Sequence, residues 1–247
     1  MLSVIAHTIH NQYEDVMKNS FYLSLIVIIT LSISPLNAQV QLGLQAGTNL
    51  GDVTYEPKQQ GFETGIRTGF MFGGVVFYSF SPIIGLQVEP AYVQKGSKVD
   101  ASVTELGMTI KEELSLTAGY FDFPVLLKAS FGDGPVKPYL LAGASLAFLL
   151  GDAKIKIDKA TLNGVDVTNQ IPGDQREQTL QTKSTDLTLN FGGGVIIPVS
   201  KVNIFIEGQY NLGLKDVSNE TPDPGEPDVT IKTKGIQIKA GVLFPLN

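Results

Sequence analysis

Two carboxylates, Glu89 and Asp122, are the residues of this sequence best placed for acid–base chemistry. They lie on neighbouring predicted strands and share the same side of the sheet. Two carboxyl groups that approach each other titrate as a coupled pair and can act as acid and base. The alternative is neutralisation by Arg67, Lys128 or Lys239, which share that side. We favour neutralisation, because buried charges are normally paired.

Histidine and cysteine, the usual sources of general bases and thiolates, are missing from most of the chain. There is no cysteine, and both histidines, His7 and His10, precede Met17. Residues 39–247 therefore cannot form Ser-His-Asp or Cys-His arrangements, nor zinc sites that use histidine or thiolate ligands. The sequence predicts a protein that is not an enzyme, with no cofactor and no metal site.

Two other segments resemble ligand sites without meeting their requirements. The stretch "KDVSNETPDPGEPDVT" at 215–230 is rich in carboxylates that could hold Ca²⁺, but it lacks the spacing of an EF-hand. We interpret it as a solvated loop. The stretch "FGGGV" at 191–195 lacks the Gly-Lys-Ser/Thr ending of a phosphate-binding loop. The strand pattern of the chain predicts a narrow barrel, and these glycines are better explained by crowding in its interior.

The first 38 residues are predicted to be an N-terminal extension and a cleavable signal peptide. Lys18 is followed by the mainly apolar run 21–33 and by a small residue, Ala38, before Gln39. This order is typical of secretory signals, and the run is shorter than the roughly 20 residues of a spanning helix. We expect synthesis to begin at Met17 and the mature domain to cover 39–247. An uncleaved anchor is the alternative.

Alternating apolar and polar residues predict eight strands and no long helix. The second, fourth and sixth connections are short, whereas the other four are longer and polar, at about 51–64, 97–111, 151–184 and 215–229. Outer-membrane barrels have this asymmetry between short periplasmic turns and long external loops. The predicted strands are approximately 39–50, 65–80, 84–96, 112–129, 137–150, 185–197, 202–214 and 230–246.

Charge placement distinguishes a membrane barrel from a soluble sheet. The apolar side of the strands carries no charge at its central positions, such as Phe70, Phe123 and Ile206. A basic residue facing mid-bilayer lipid costs about 2–4 kcal/mol. We therefore predict an all-β, eight-stranded antiparallel up-and-down transmembrane β-barrel whose apolar side faces lipid. The fifth strand is apolar on both sides, so its register stays open. The predicted lumen charge network is Arg67, Glu89, Asp122, Lys128, Asp186, Glu207 and Lys239.

Five segments together resemble the outer-membrane β-barrel family that includes PorT-like proteins of Gram-negative bacteria. They are "LGLQAGTNLG", "GLQVEPAYVQKG", "YFDFPVLLKAS", "KPYLLAGASLAFLL" and "FIEGQYNLGL", spread over nearly all of 39–247. The resemblance implies an exported eight-stranded barrel of the outer membrane; some members are accessory parts of protein secretion. Relatives often have Arg-Tyr in the seventh strand, where this chain has Gln209-Tyr210.

The functional hypothesis is a non-enzymatic barrel of the cell outer membrane, surrounded by lipid and contacting a protein partner or the cell-surface matrix through its long loops. We expect a monomer. Nucleic acid is excluded as a partner, since the net charge is −6 and the basic residues form no cluster. Two alternatives remain at this point: a soluble lipocalin-like barrel that binds an apolar ligand among its aromatic residues, and a narrow passive pore.

Overall fold

The computed structural model describes residues 40–57, 61–105, 107–180, 182–218 and 229–246. The predicted signal region and most of the acidic loop, residues 219–228, lie outside the described residues. No helix in the described part of the chain is long and apolar enough to cross a membrane.

Eight antiparallel strands follow one another around a closed ring. Closure comes from the first and eighth strands, which pair from Gln41 opposite Pro245 to Glu56 opposite Thr230. This confirms the predicted eight-stranded transmembrane barrel. The barrel strands are Val40–Glu56, Arg67–Ser79, Ile84–Val88 continued by Ala91–Glu105, Met108–Ser130, Lys137–Leu162, Thr185–Val199, Val202–Gly213 and Thr230–Pro245. We number them first to eighth in this order.

A proline divides the third strand without opening the wall. Pro90 has no N–H to donate, so the regular ladder is interrupted between Val88 and Ala91. Two bonds bridge the gap: the Glu89 N–H donates to the Pro124 carbonyl, and the Gly74 N–H donates to the Pro90 carbonyl. The third strand therefore remains one continuous element of the barrel.

The two sides of the wall differ in polarity as the charge pattern predicts. Phe70, Phe72 and Phe123 are exposed on the outside, whereas Glu89 and Lys239 are buried on the inside. The lipocalin-like alternative is therefore wrong, because it requires the aromatic residues to line an apolar interior. The outer face instead offers the apolar surface that lipid requires.

The external ends of four strands are longer than predicted. The first strand continues to Glu56, into the segment predicted to be a loop at 51–64, and the third, fourth and fifth strands also extend. The fourth and fifth strands have 23 and 26 residues, whereas about 9–11 tilted residues cross a bilayer. Residues 97–105 and 108–111, predicted to lie in a loop, instead belong to paired extensions of the third and fourth strands, in which Val103 faces Ile110. Part of the predicted loop 151–184 continues the fifth strand to Leu162. Period-two alternation persists in both segments because their strands pair with each other beyond the membrane.

Short elements complete the external end of the barrel. A strand at Phe62–Gly65 pairs with the third barrel strand, and strands at Val165–Asp166 and Glu177–Leu180 pair with the fifth. Two single turns of 3-10 helix span Thr168–Gln170 and Gly173–Gln175. The short turns lie at the opposite end, where the first strand begins and the eighth ends.

Candidate functional site

Lys239 lies at the centre of the barrel lumen and joins two carboxylates. Its ammonium group donates to Glu89 Oε2 and lies 2.9 Å from Glu207 Oε1. The third, seventh and eighth strands bring these side chains together, because all three point inward at the same level. All three side chains are fully shielded from solvent. A single lysine therefore compensates two buried negative charges in part.

Gln87 connects this group to a second cation. Its amide nitrogen donates to Glu89 Oε1 (2.5 Å) and Glu207 Oε2 (3.2 Å), and its oxygen accepts from Lys128 Nζ (2.7 Å). Lys128 lies 3.7 Å above the ring centre of Tyr139, a favourable cation–π position. Tyr139 also donates its hydroxyl to Glu207 Oε2 at 2.7 Å. Two cations and two anions thus form one neutral, hydrogen-bonded cluster.

Gln209 contacts both carboxylates of the central cluster. Its amide nitrogen donates to Glu207 Oε1 (2.7 Å) and Glu89 Oε2 (3.2 Å). An arginine here would add a positive charge to a cluster that Lys128 and Lys239 already neutralise. The neutral amide keeps the hydrogen bonds while leaving the charges balanced.

A second ion pair lies nearer the external end. Lys95 Nζ is 2.9 Å from Asp186 Oδ2, which also accepts a bond from the Thr233 hydroxyl. Asp122 is buried in the lumen, and its Oδ1 has no hydrogen-bond partner among the described residues. Lys95 was not among the predicted lumen charges, although its side of the strand matches that of Glu89. With Lys95 included, the lumen charges become four cations and four anions.

The predicted residues therefore fall into separate groups rather than one network. Glu89, Lys128, Glu207 and Lys239 form the central cluster, and Asp186 belongs with Lys95. The structure does not bring Glu89 and Asp122 together as an acid–base pair, since Glu89 instead contacts Glu207 through Lys239 and Gln87. Arg67 lies partly buried at the start of the second strand; its Nη1 has no hydrogen-bond partner among the described residues.

Apolar side chains fill the lumen on the short-turn side of the central cluster. Val75, Phe205 and Leu243 form one buried group, and Leu126, Tyr139 and Leu141 form another, with Ile196 packed against both. The sequence pattern missed them because they occupy the polar side of their strands. The sequence does contain one indication of them: two consecutive apolar residues, as at Ile204 and Phe205, place one apolar side chain on each side of the strand.

Glycines make room for the largest of these side chains. A Cβ on Gly241 would lie 2.5 Å from the ring of Phe205, and one on Gly194 would lie 2.5 Å from the Tyr139 hydroxyl. Real Cβ atoms do not tolerate such distances. The glycines on the polar side of the eighth and sixth strands are therefore required by the width of the barrel.

The packed centre separates two hollows. One, of about 160 Å³, lies on the external side, between residues that include Asn49, Lys95 and Asn211. The other, of about 340 Å³, lies at the short-turn end near Gln41, Phe77 and Asn203. The described side chains between them leave no room for a substrate beside the carboxylates. Within the described ranges, no three His, Cys, Asp or Glu residues are arranged to hold a metal ion.

Outside the membrane, Asp216 fastens the segment after the seventh strand. Burial raises the pKa of this carboxyl, but hydrogen bonds from Lys183 and the Ile231 and Ser218 N–H groups outweigh it and lower the pKa to about 2. The distances are 2.5 Å from Lys183 Nζ and 2.9 Å from the Ile231 nitrogen. The ionised carboxylate thus connects three parts of the external end.

A closed antiparallel barrel with an apolar exterior and a packed, charge-balanced lumen defines a small transmembrane β-barrel of the outer membrane. The chain belongs to the family described as outer membrane protein beta-barrel domain, whose model matches residues 32–219. No curated protein matches the chain.

The solved structures to which the chain is similar share little sequence with it. Neisserial surface protein A is 17% identical, with a TM-score of 0.39 and coverage of 83% of this chain and 97% of that one. The attachment invasion locus protein Ail of Yersinia pestis is 15% identical (TM-score 0.34; 83% and 98% covered). OprG of Pseudomonas aeruginosa is 11% identical (TM-score 0.40; 84% and 94% covered). These similarities assign no function to the chain.

Proposed function

We propose that this barrel is non-enzymatic and non-conducting, and that it binds a protein partner at the cell surface through the external ends of its third to fifth strands. The resemblance to PorT-like proteins supports a role as an accessory part of secretion. A row of exposed apolar residues beyond the membrane carries the proposal.

Four neighbouring strands each contribute one residue to this row. Val103 is the direct partner of Ile110, Ile110 of Leu162, and Leu162 of Val165. Directly paired residues in antiparallel strands point to the same side of the sheet. Their exposed fractions are 49%, 48%, 38% and 65%, respectively. We call Val103, Ile110, Leu162 and Val165 the external apolar row.

Lipid does not account for the external apolar row. Ile110 is on the same side of the fourth strand as Tyr120 and Asp122, which are buried in the lumen, so it does not continue the lipid-facing surface at Phe121. Contiguous apolar residues exposed to water are typical of protein-binding surfaces. The residue next to Ile110 on the opposite side is Lys111, so only one side of this sheet suits an apolar partner.

Site-specific photo-cross-linking in intact cells tests this assignment. A photoreactive phenylalanine analogue at position 110 should cross-link to one defined protein, and the same analogue at Lys111 should not. Changing Leu162→Lys, with the analogue still at 110, should abolish the product while heat-dependent gel mobility shows that the barrel is folded. Equal products from 110 and 111, or cross-links only to surface polysaccharide, would contradict the proposal.

Two further measurements test the remaining parts of the proposal. The packed central cluster supports the expectation of no steady single-channel current in planar bilayers; large, stable currents would establish a pore instead.

Export through the N-terminal signal predicts that protein purified from outer membranes begins at Gln39. A mature chain that retains residues 21–33 would show that the segment is an anchor.

A further inference from the structure

The external ends of the third to fifth strands carry apolar side chains on their inner side, from the external apolar row down to the hollow of about 160 Å³ on the external side of the lumen. Along the fourth strand, Leu114 and Leu116 lie on the same side as Ile110, and Leu116 lines this hollow. Leu114 pairs directly with Val99 and Ile157, and these three side chains are half-buried. One apolar surface therefore connects the row with the hollow.

The opposite side of the same strand ends is polar and charged. It carries Lys98 and Asp100 on the third strand, Lys111 and Glu113 on the fourth, and Lys156 on the fifth, all of them exposed. A partner that binds through apolar contacts is therefore restricted to the inner side.

A single carboxylate interrupts the apolar surface. Between the row and the hollow, Glu112 is the only charged residue on the inner side of the described third to fifth strands. Its directly paired neighbours are Ala101 and Ala160, and it forms no ion pair with any described residue. An apolar partner that covers Glu112 must therefore supply a positive charge at this point, because a carboxylate removed from water without a partner is costly.

The length of the surface matches an extended peptide segment. Leu116 is six positions from Ile110, which is roughly 20 Å along an antiparallel strand. A second extended chain laid face to face on the sheet has the same rise per residue, so its alternate side chains meet successive inward side chains of the fourth strand. The hollow at the lower end has room for one large apolar side chain, since an apolar cavity of about 150 Å³ holds benzene, the ring of phenylalanine.

We propose that the partner binds through an extended apolar segment of about seven residues that carries one basic side chain. A large apolar residue enters the hollow, and the next alternate residue, also apolar, packs against Leu114. The following alternate residue is a lysine or arginine that meets Glu112, and the last is apolar and contacts Ile110. This inference rests on the proposed function, because it specifies the chemistry of the partner at the external apolar row.

Fluorine NMR of the full barrel in lipid nanodiscs tests the proposal with the end-blocked heptapeptide Phe-Ser-Val-Ser-Lys-Ser-Ile, fluorinated on its ring. We expect saturable binding above that of empty nanodiscs. In competition, the peptide with glutamate in place of lysine should bind at least about fivefold more weakly. The peptide with alanine in place of phenylalanine should bind about tenfold more weakly, because the hollow is left empty. No saturable binding, or equal competition by the glutamate peptide, would overturn the proposal.

Two matched variants of the barrel test the contact with the basic side chain. Glu112→Lys should reverse the preference, so that the glutamate peptide binds more tightly than the lysine peptide. Glu113→Lys, on the opposite side of the same strand, should leave the preference unchanged. Heat-dependent gel mobility verifies that both variants are folded. An unchanged preference in Glu112→Lys, or the same reversal in both variants, would refute the assignment.

Photo-cross-linking in intact cells separates this inference from the proposed function. A photoreactive analogue at Leu114 should cross-link to the same protein as the analogue at Ile110, and one at Ser115, on the opposite side, should not. A product at 110 without one at 114 would overturn the inference and leave the proposed function in place. No product at either position would overturn the proposed function, and the charge preference of the peptides would then decide the inference.

Discussion

Lys239 Nζ lies 2.9 Å from Glu207 Oε1 in the middle of the barrel, where neither side chain is accessible to solvent. The same ammonium group donates to Glu89. This lysine therefore stabilises two carboxylates that would otherwise repel each other inside a low-dielectric lumen.

Replacing Lys239 by methionine should destabilise the barrel strongly. Breaking a buried ion pair by removing one partner typically costs about 3–5 kcal/mol, because the remaining charge stays buried. Urea titration in detergent, followed by the gel mobility of folded and unfolded forms, measures the change. Adding Glu207→Gln should recover part of the loss, since one uncompensated charge disappears.

The exposed Lys154, which pairs with Glu177 on the external surface, is the control for this experiment. Solvent screens such a pair, so Lys154→Met should leave the urea midpoint nearly unchanged. A Lys239→Met barrel as stable as the wild type would show that the central cluster does not hold the lumen together.

Substituting Gly194 by alanine should destabilise the barrel by about 1–3 kcal/mol through overpacking. The added methyl group would lie 2.4 Å from the Ile206 carbonyl oxygen and 2.5 Å from the Tyr139 hydroxyl. Gly208→Ala is the matched control, because the nearest atom to its Cβ is 4.0 Å away. Equal urea midpoints for the two variants would argue against a tightly packed lumen.

The register of the fifth strand predicts opposite environments for two adjacent residues. Leu146 is exposed on the lipid-facing side and Ala147 is fully buried in the lumen. The chain has no cysteine, so single cysteines can be introduced at either position. In proteoliposomes, an apolar maleimide should label Leu146→Cys and leave Ala147→Cys unmodified. The reverse pattern would mean that the strand is shifted by one residue.

The external segment held by Asp216 should loosen in acid. Its folded-state pKa, about 2, lies below the ordinary value of 3.8. The stabilisation is therefore fully present above about pH 4 and is lost as the pH falls towards 2. Hydrogen-exchange protection of the Ser218 and Ile231 amides should decrease over this interval. Asp216→Asn should show weaker protection at neutral pH and little change on acidification; a wild-type pH response in this variant would exclude Asp216 as the cause.

Several features of the lumen were predictable because a charged side chain on a membrane strand costs much less free energy when it faces the lumen than when it faces lipid. Glu89, Glu207 and Lys239 had to point inward once Phe70 and Ile206 faced lipid. Lys95 followed the same rule and was overlooked because it lies close to the predicted end of its strand. The lengths of the third to fifth strands were underestimated, because the sequence does not show whether an alternating segment beyond the membrane, such as 97–105, has a neighbouring strand to pair with.

The sequence by itself determined the eight strands, their alternation and the inward direction of the charges, because each depends on local period-two patterning and the cost of charge in lipid. Only the tertiary structure decided which charges meet. Glu89 pairs with Lys239 rather than with Asp122 because barrel closure and strand stagger set the level at which each side chain enters the lumen. The tertiary structure also decided the register of the fifth strand. Tyr139 and Leu141 point inward because the neighbouring strands leave space there. The sequence of this strand is apolar on both sides and does not indicate which side faces the lumen.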